Sequence, residues 1–272
     1  MTMKWSPDYL GSPGKMVLAK DYIHGPADPD VVAYIAAVET ADGQGLEEEV
    51  KVAYSDFITG CKGDGIWDAI KASCILAGAR TLNGALVPLT GTAPTNNGPF
   101  TASDYDRKTG LVGNASTKYL DSNRDNNADP QNNQHLSVYL SKLVGTAGQF
   151  YIASDYAVQG ISGISDVNVR SRNGSLNNIN SNFIGFTGIS RSPATDLSNE
   201  FVHRSNGSNT TLAKASQTPG SSNIHVFGSN SLSNPYRTDA RLAFYSIGEA
   251  LDLALLDARV STLISDLGAA IP

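Results

Sequence analysis

Apolar residues change their spacing twice along this chain of 272 residues. Between 28 and 80 they recur at helical intervals. Val31, Tyr34, Ile35 and Val38 follow Asp28-Pro29-Asp30, an aspartate cap with proline in the first turn, and Asp42-Gly43 predicts the end of that helix. Leu46, Val50, Ala53 and Phe57 form the stripe of a second helix over 45–60, with Glu47 to Glu49 at its favourable end. Ile66, Trp67, Ile70, Cys74, Ile75 and Leu76 predict a third, opened near Asp64-Gly65 and closed by Gly78.

From 81 to 248 the apolar pieces shorten and turn chemistry separates them. Asn83-Gly84, Asn97-Gly98, Asn173-Gly174 and Asn206-Gly207 are hairpin-type dipeptides. Strands are predicted over 85–89, 136–140, 149–153, 182–190, 200–204, 210–215, 223–227 and 241–247. In the fifth, Phe201 and His203 share one face while Val202 and Arg204 share the other. Many short alternating strands predict an antiparallel β-sandwich.

The helical period returns over 249–272. Leu253, Leu256, Val260, Leu263 and Leu267 recur at intervals of 3, 4, 3 and 4, a heptad seam. The seam is too short to stand alone. It must dock on the body, on the N-terminal helices or on copies of itself. Residues 1–27 are punctuated by Pro and Gly and predict an extended arm, with Trp5 and Tyr9 as anchors on a neighbouring surface or on the arm's own domain. The expected organisation is therefore an arm (1–27), a helical subdomain (28–80), a β-sandwich (81–248) and a C-terminal helix (249–272).

Composition narrows the function. Charged residues are only 17% of the chain, where about a quarter is usual. Asn, Ser, Thr and Gly fill the deficit and suit a turn-rich β-structure. The net charge of −6 and the absence of any basic run give no electrostatic footprint for nucleic acid. No segment has the apolar length of a membrane helix, and 1–20 lacks the apolar core of a signal peptide, so neither membrane insertion nor export is expected. Cys61 and Cys74 have no metal-type spacing and are expected as isolated buried thiols.

Reactive motifs are sparse. His24, His135, His203 and His225 form no metal pair, and there is no GxSxG elbow or phosphate loop. Asp121, Asn123, Asp125 and Asn127 place oxygen ligands at alternate positions, like the start of a calcium loop. The loop glycine and the closing acid are replaced by Asn126 and Asn132, and Arg124 adds positive charge. A solvated connection is the competing reading, and no other cofactor is expected. A hydrolase would need two acids facing one groove; Glu200 and Asp239 are the residues to test, although no E-x-D-x-E pattern joins any acids on one strand. Of the 11 tyrosines, Tyr151, Tyr156 and Tyr236 are the candidates for ligand contact, because each offers a flat apolar ring with one polar handle.

Two peptide stretches carry a resemblance. One runs from Asp104-Tyr105-Asp106-Arg107-Lys108-Thr109-Gly110-Leu111 through Lys118-Tyr119-Leu120 to Asn126-Asn127-Ala128-Asp129-Pro130-Gln131-Asn132. The other is Arg241-Leu242-Ala243-Phe244-Tyr245-Ser246-Ile247-Gly248, leading into Leu251-Asp252 and the last helix. Together they resemble virion proteins of tailed bacteriophages, whose bodies often look like the laminin-G or concanavalin A-like jelly roll. The resemblance covers 81–271 and brings no catalytic set. It implies a non-enzymatic virion component: a tail fibre or baseplate appendage subunit with a lectin-like host-binding module. The alternative is a capsid decoration protein, and a carbohydrate-active enzyme stands third. The implied partners are other virion proteins, further copies of the chain in a homo-oligomer such as a trimer, and a host surface glycan. The implied location is the tail or capsid surface of the virion.

Overall fold

The computed structural model describes residues 28–143, 149–154, 159–163, 167–175, 177–179, 184–192, 199–231 and 235–272. Trp5, Tyr9, His24 and Tyr156 lie outside them.

The first two helices form where the apolar spacing places them. Helix α1, Pro29–Asp42, starts on Asp28, whose carboxylate accepts from the N–H groups of Asp30 (2.9 Å) and Val31 (3.4 Å). It stops at Gly43, where φ is +68°. Helix α2, Glu48–Gly63, follows.

The expected third helix is instead a short 3-10 turn, Trp67–Ala69, running into strand β1, Ile70–Ile75. Ala72 and Cys74 face one hydrophobic layer and Ile70 and Ile75 the other. A strand buried on both faces has no polar alternation, so its apolar run reads equally as helix. The sandwich thus begins near residue 70, not 81. Asn83-Gly84 and the strand expected over 85–89 are also corrected. Leu82–Ala85 is a single turn of helix, α3, capped by Thr81.

The remaining strands are β2 (Thr95–Asn97), β3 (Tyr105–Asp106), β4 (Gly110–Val112), β5 (Tyr119–Asp125), β6 (Gln134–Lys142), β7 (Phe150–Ala153), β8 (Gln159–Gly163), β9 (Val167–Ser171), β10 (Asn177–Ile179), β11 (Gly185–Arg191), β12 (Glu200–Ser205), β13 (Ser208–Ala213), β14 (Asn223–Val226) and β15 (Arg241–Gly248). They form two antiparallel sheets. One has eight strands in the order β13-β12-β11-β6-β15-β4-β3, with β1 also on β15; the other has seven, β10-β9-β8-β7-β14-β5-β2. The fold is a mainly β antiparallel sandwich with flanking helices, as the strand pattern predicts.

The two sheets enclose one core, with Leu120, Val138, Ile152, Ile161, Val226 and Ile247 among its members. The eight-stranded sheet buries its other face too. A register shift between Leu242 and Phe244 turns Ala243 and Phe244 both toward the helices, where Phe244 meets Phe57 edge-on at 5.7 Å.

Helix α4, Leu253–Ala270, closes this second core. Leu253, Leu256, Val260, Leu263 and Leu267 are all buried in it, beside Val50, Phe57 and Ile58 of α2. Arg259 to Asp64 (2.6 Å) and Arg204 to Asp257 (2.7 Å) clamp the helix at its sides. Of the three docking modes open to the seam, the structure takes the body and the N-terminal helices, so Leu253, Leu256, Val260, Leu263 and Leu267 are not left for contact between copies. The N-terminal helices share this core and are not a separate subdomain. Both cysteines are buried free thiols, each pushed up to about 12 by burial.

Candidate functional site

The outward face of the seven-stranded sheet gathers the polar chemistry of this protein. Its inward-pointing neighbours Leu120, Ile224, Val226, Ile152, Ile161 and Val169 sit in the core. Alternation then sends the residues between them outward. Register lines them up across six strands: Thr95 on β2, Asp121 on β5, His225 on β14, Ala153 on β7, Gly160 on β8 and Arg170 on β9.

Asp121 and His225 form the centre of the row, with Nε2 3.6 Å from the carboxylate. The other oxygen of Asp121 accepts from the Asn223 amide and the Asn123 N–H, each at 2.9 Å. Partial burial pushes the Asp121 carboxyl up, but the His225 ring and these donors outweigh it, and the group stays below its ordinary range. The Nδ1 side of His225 faces the Ser229 carbonyl at 3.3 Å.

A second layer comes from the chain between β14 and β15. Arg237 lies with its guanidinium carbon 3.6 Å from the centroid of the Tyr119 ring, a cation–π contact. Tyr119 in turn stacks on His225 at 4.5 Å. The Arg237 guanidinium also donates to the Ser229 carbonyl at 3.0 Å, and burial lowers its pKa to about 10. Tyr236 stands edge-on to Phe150, ring centroids 6.0 Å apart, and its carbonyl accepts from the Phe150 N–H. Gly160 is bare because Ala153 and the Phe150 ring occupy the space a Cβ would take. The result is a fixed platform of rings, a carboxylate, amides and guanidinium groups in which His225, Arg170 and Arg237 are buried and Tyr119, Asp121, Asn223 and Tyr236 reach the surface in part.

Among the residues singled out from sequence, the structure keeps some and removes others. Tyr236 borders the platform. Tyr151 is wholly buried between the sheets and is corrected as a ligand contact, because β7 turns it inward. The calcium reading of Asp121, Asn123 and Asp125 expected a loop. These residues belong to strand β5 rather than a loop, and Asn123 spends its amide on the Ala93 carbonyl (2.8 Å) and the Thr95 hydroxyl (3.0 Å). In the following turn, Arg172 donates to the carbonyls of Asn126, Asp129 and Pro130, and Arg124 pairs with Asp129. Guanidinium groups thus occupy the oxygens of this turn. No cluster of three His, Cys, Asp or Glu side chains converges among the described residues.

Glu200 lines an open groove of about 450 Å³ with Val202, Thr211, Leu251 and Leu253, on the helix side of the other sheet. Asp239 is not in that groove; its N–H lies 3.3 Å from the Gln149 side chain. His135 and His203 are buried inside the fold. Sequence reasoning missed Tyr119, Arg170, Asn223 and Arg237, and placed no weight on His225. Only strand register brings Asp121 beside residues a hundred positions away.

No family model and no curated protein matches this chain. Solved structures give loose likenesses. The Trypanosoma rangeli sialidase in complex with 2,3-difluorosialic acid is 11% identical with a TM-score of 0.47, over 88% of this chain and 39% of that one. A mutant of the same sialidase displaying trans-sialidase activity gives 9% and 0.46, over 78% and 38%. The binding domain of botulinum neurotoxin DC in complex with SialylT gives 15% and 0.38, over 57% and 41%. The chain matches about two fifths of the length of each.

Proposed function

We propose that this protein is a contact module that binds a saccharide on the outward face of its seven-stranded sheet, and that it serves as a host-attachment subunit in the tail of a bacteriophage virion. The observation that carries the binding half is the platform itself. Tyr236 offers apolar ring area that is partly exposed, while Tyr119 is held between Arg237 and His225. Half-exposed Asp121 and Asn223 add an acceptor and a donor, backed by the buried guanidinium groups of Arg170 and Arg237. That mixture suits a sugar, which has apolar C–H faces edged by hydroxyls. The virion half rests on the resemblance of 104–132 and 241–252 to tailed-phage proteins. Weak single sites are sufficient in such a setting, because many copies on one particle supply avidity.

The test has two arms. Purified protein applied to a panel of bacterial surface polysaccharides and oligosaccharides is expected to bind a subset, with no release of reducing sugar. Sugar release that is lost in Glu200→Gln or Asp239→Asn would make it an enzyme and overturn the reading, as would a panel with no binder. Cryo-electron microscopy of particles carrying the protein is expected to place it on the tail. Copies on the capsid facets would make it a decoration protein instead.

A further inference from the structure

Antiparallel sheets leave edges, and proteins usually protect them by shortening, charge, proline or a covering segment. Three of the edges here are short. Strand β3 has two residues, and β2 and β10 have three each. The free side of β1 is met by the 89–90 segment, where the Leu89 N–H reaches the Ser73 carbonyl at 2.8 Å. Strand β13 is different. It runs six residues, Ser-Asn-Thr-Thr-Leu-Ala, with no charge and no proline. It ends the eight-stranded sheet, and all its residues but Leu212 are exposed.

The hairpin holds this edge extended. Asn206 and Gly207 have φ of 49° and 70°, the turn that matches strand twist, and β12 and β13 pair in unbroken register from Ser205↔Ser208 to Glu200↔Ala213. A two-residue turn is closed by a hydrogen-bonded pair, and bonding then alternates along the hairpin. That alternation points the main-chain N–H and C=O groups of Asn209, Thr211 and Ala213 away from β12, toward open solvent. Arg204, tied to both Asn209 and Asp257, anchors the hairpin to α4.

We propose that β13 is the interface for a second copy of this chain, pairing antiparallel with its own counterpart about a two-fold axis. The strand is complementary to itself. With Thr211 opposite Thr211, Asn209 falls opposite Ala213 and Thr210 opposite Leu212. About six main-chain hydrogen bonds then form, and no like charges meet within the strand. The two eight-stranded sheets become one continuous sheet. The saccharide platform is on the other sheet of each copy, so this inference stands independently of the proposed ligand.

Sedimentation velocity on the full chain, from low to high micromolar concentration, tests it. The wild type is expected to sediment as a dimer at the upper end. Thr211→Lys places like charges face to face on the axis, and Thr211→Pro removes an outward N–H that no strand of its own chain uses. Both are expected to sediment as monomers, and Thr211→Lys is expected to keep the wild-type circular dichroism and melting temperature. An equal mixture of Thr211→Lys and Thr211→Glu is expected to recover the dimer. A wild type that stays monomeric throughout, a trimer, or a dimer that persists in Thr211→Lys would overturn the proposal.

Discussion

Nε2 of His135 lies 2.7 Å from the hydroxyl of Ser246, on the adjacent strand β15. The opposite ring nitrogen is 2.6 Å from the carbonyl of Glu249. A carbonyl can only accept, so Nδ1 carries the proton and the Ser246 hydroxyl donates to Nε2. The ring is held neutral between the helical layer and the eight-stranded sheet, and burial pushes its pKa down from 6.5 to about 4. His203, buried against Thr187, is pushed down to about 4 by the same cause.

A pH dependence follows. Between pH 6.5 and about 4 the unfolded chain binds these two protons and the folded chain does not. Stability is therefore full above 6.5 and falls as pH drops through that window, by on the order of 3 kcal/mol for each ring. Urea unfolding at neutral pH and at a pH just above 4 measures it. Equal midpoints at the two values would refute the assignment of both rings as neutral.

Arg172 carries a second prediction. Its guanidinium is fully buried and serves three main-chain carbonyls of the turn after β5. Arg172→Ala strips those carbonyls of their donor inside the protein and is expected to cost about 3 kcal/mol or more. Arg172→Lys recovers little of this, because one ammonium cannot reproduce the planar fork. Thermal melting of both variants checks the order; a lysine variant as stable as wild type contradicts it.

Val260→Asp tests the closure of α4. The side chain is wholly buried between α2 and the sheet, and a carboxylate there has no partner. A loss of about 3–5 kcal/mol is expected, enough to unfold a marginal domain. An unchanged melting temperature would show that the seam does not pack as described.

The saccharide platform predicts a split between binding and stability. Tyr236→Ala removes the partly exposed ring that borders the platform and meets Phe150 edge-on. Binding to any saccharide found in the panel is expected to weaken by about tenfold or more, in line with the ~1–2 kcal/mol that such ring contacts supply. Calorimetry beside a melting curve distinguishes this from simple unfolding: parallel losses of both would point to a structural role alone.

The amino-acid order by itself determined the elements whose two sides face different surroundings. Helices α1, α2 and α4 announce themselves because each has one buried stripe, with aspartate caps at the starts of α1 and α4, and the β12–β13 hairpin because Asn206-Gly207 suits a tight turn. The sandwich class followed from such pieces. Tertiary structure alone decided the rest. Ile70–Ile75 became a strand because β15 was there to pair with it, and a segment apolar on both faces carries no period to betray that. The stretch 121–130 reads as a solvated connection because it is polar throughout, and only pairing with β2 and β14 makes its first five residues part of a strand. Asp121 meets Asn223 and His225 only through strand register, and hydrogen bonding between strands is blind to separation along the chain.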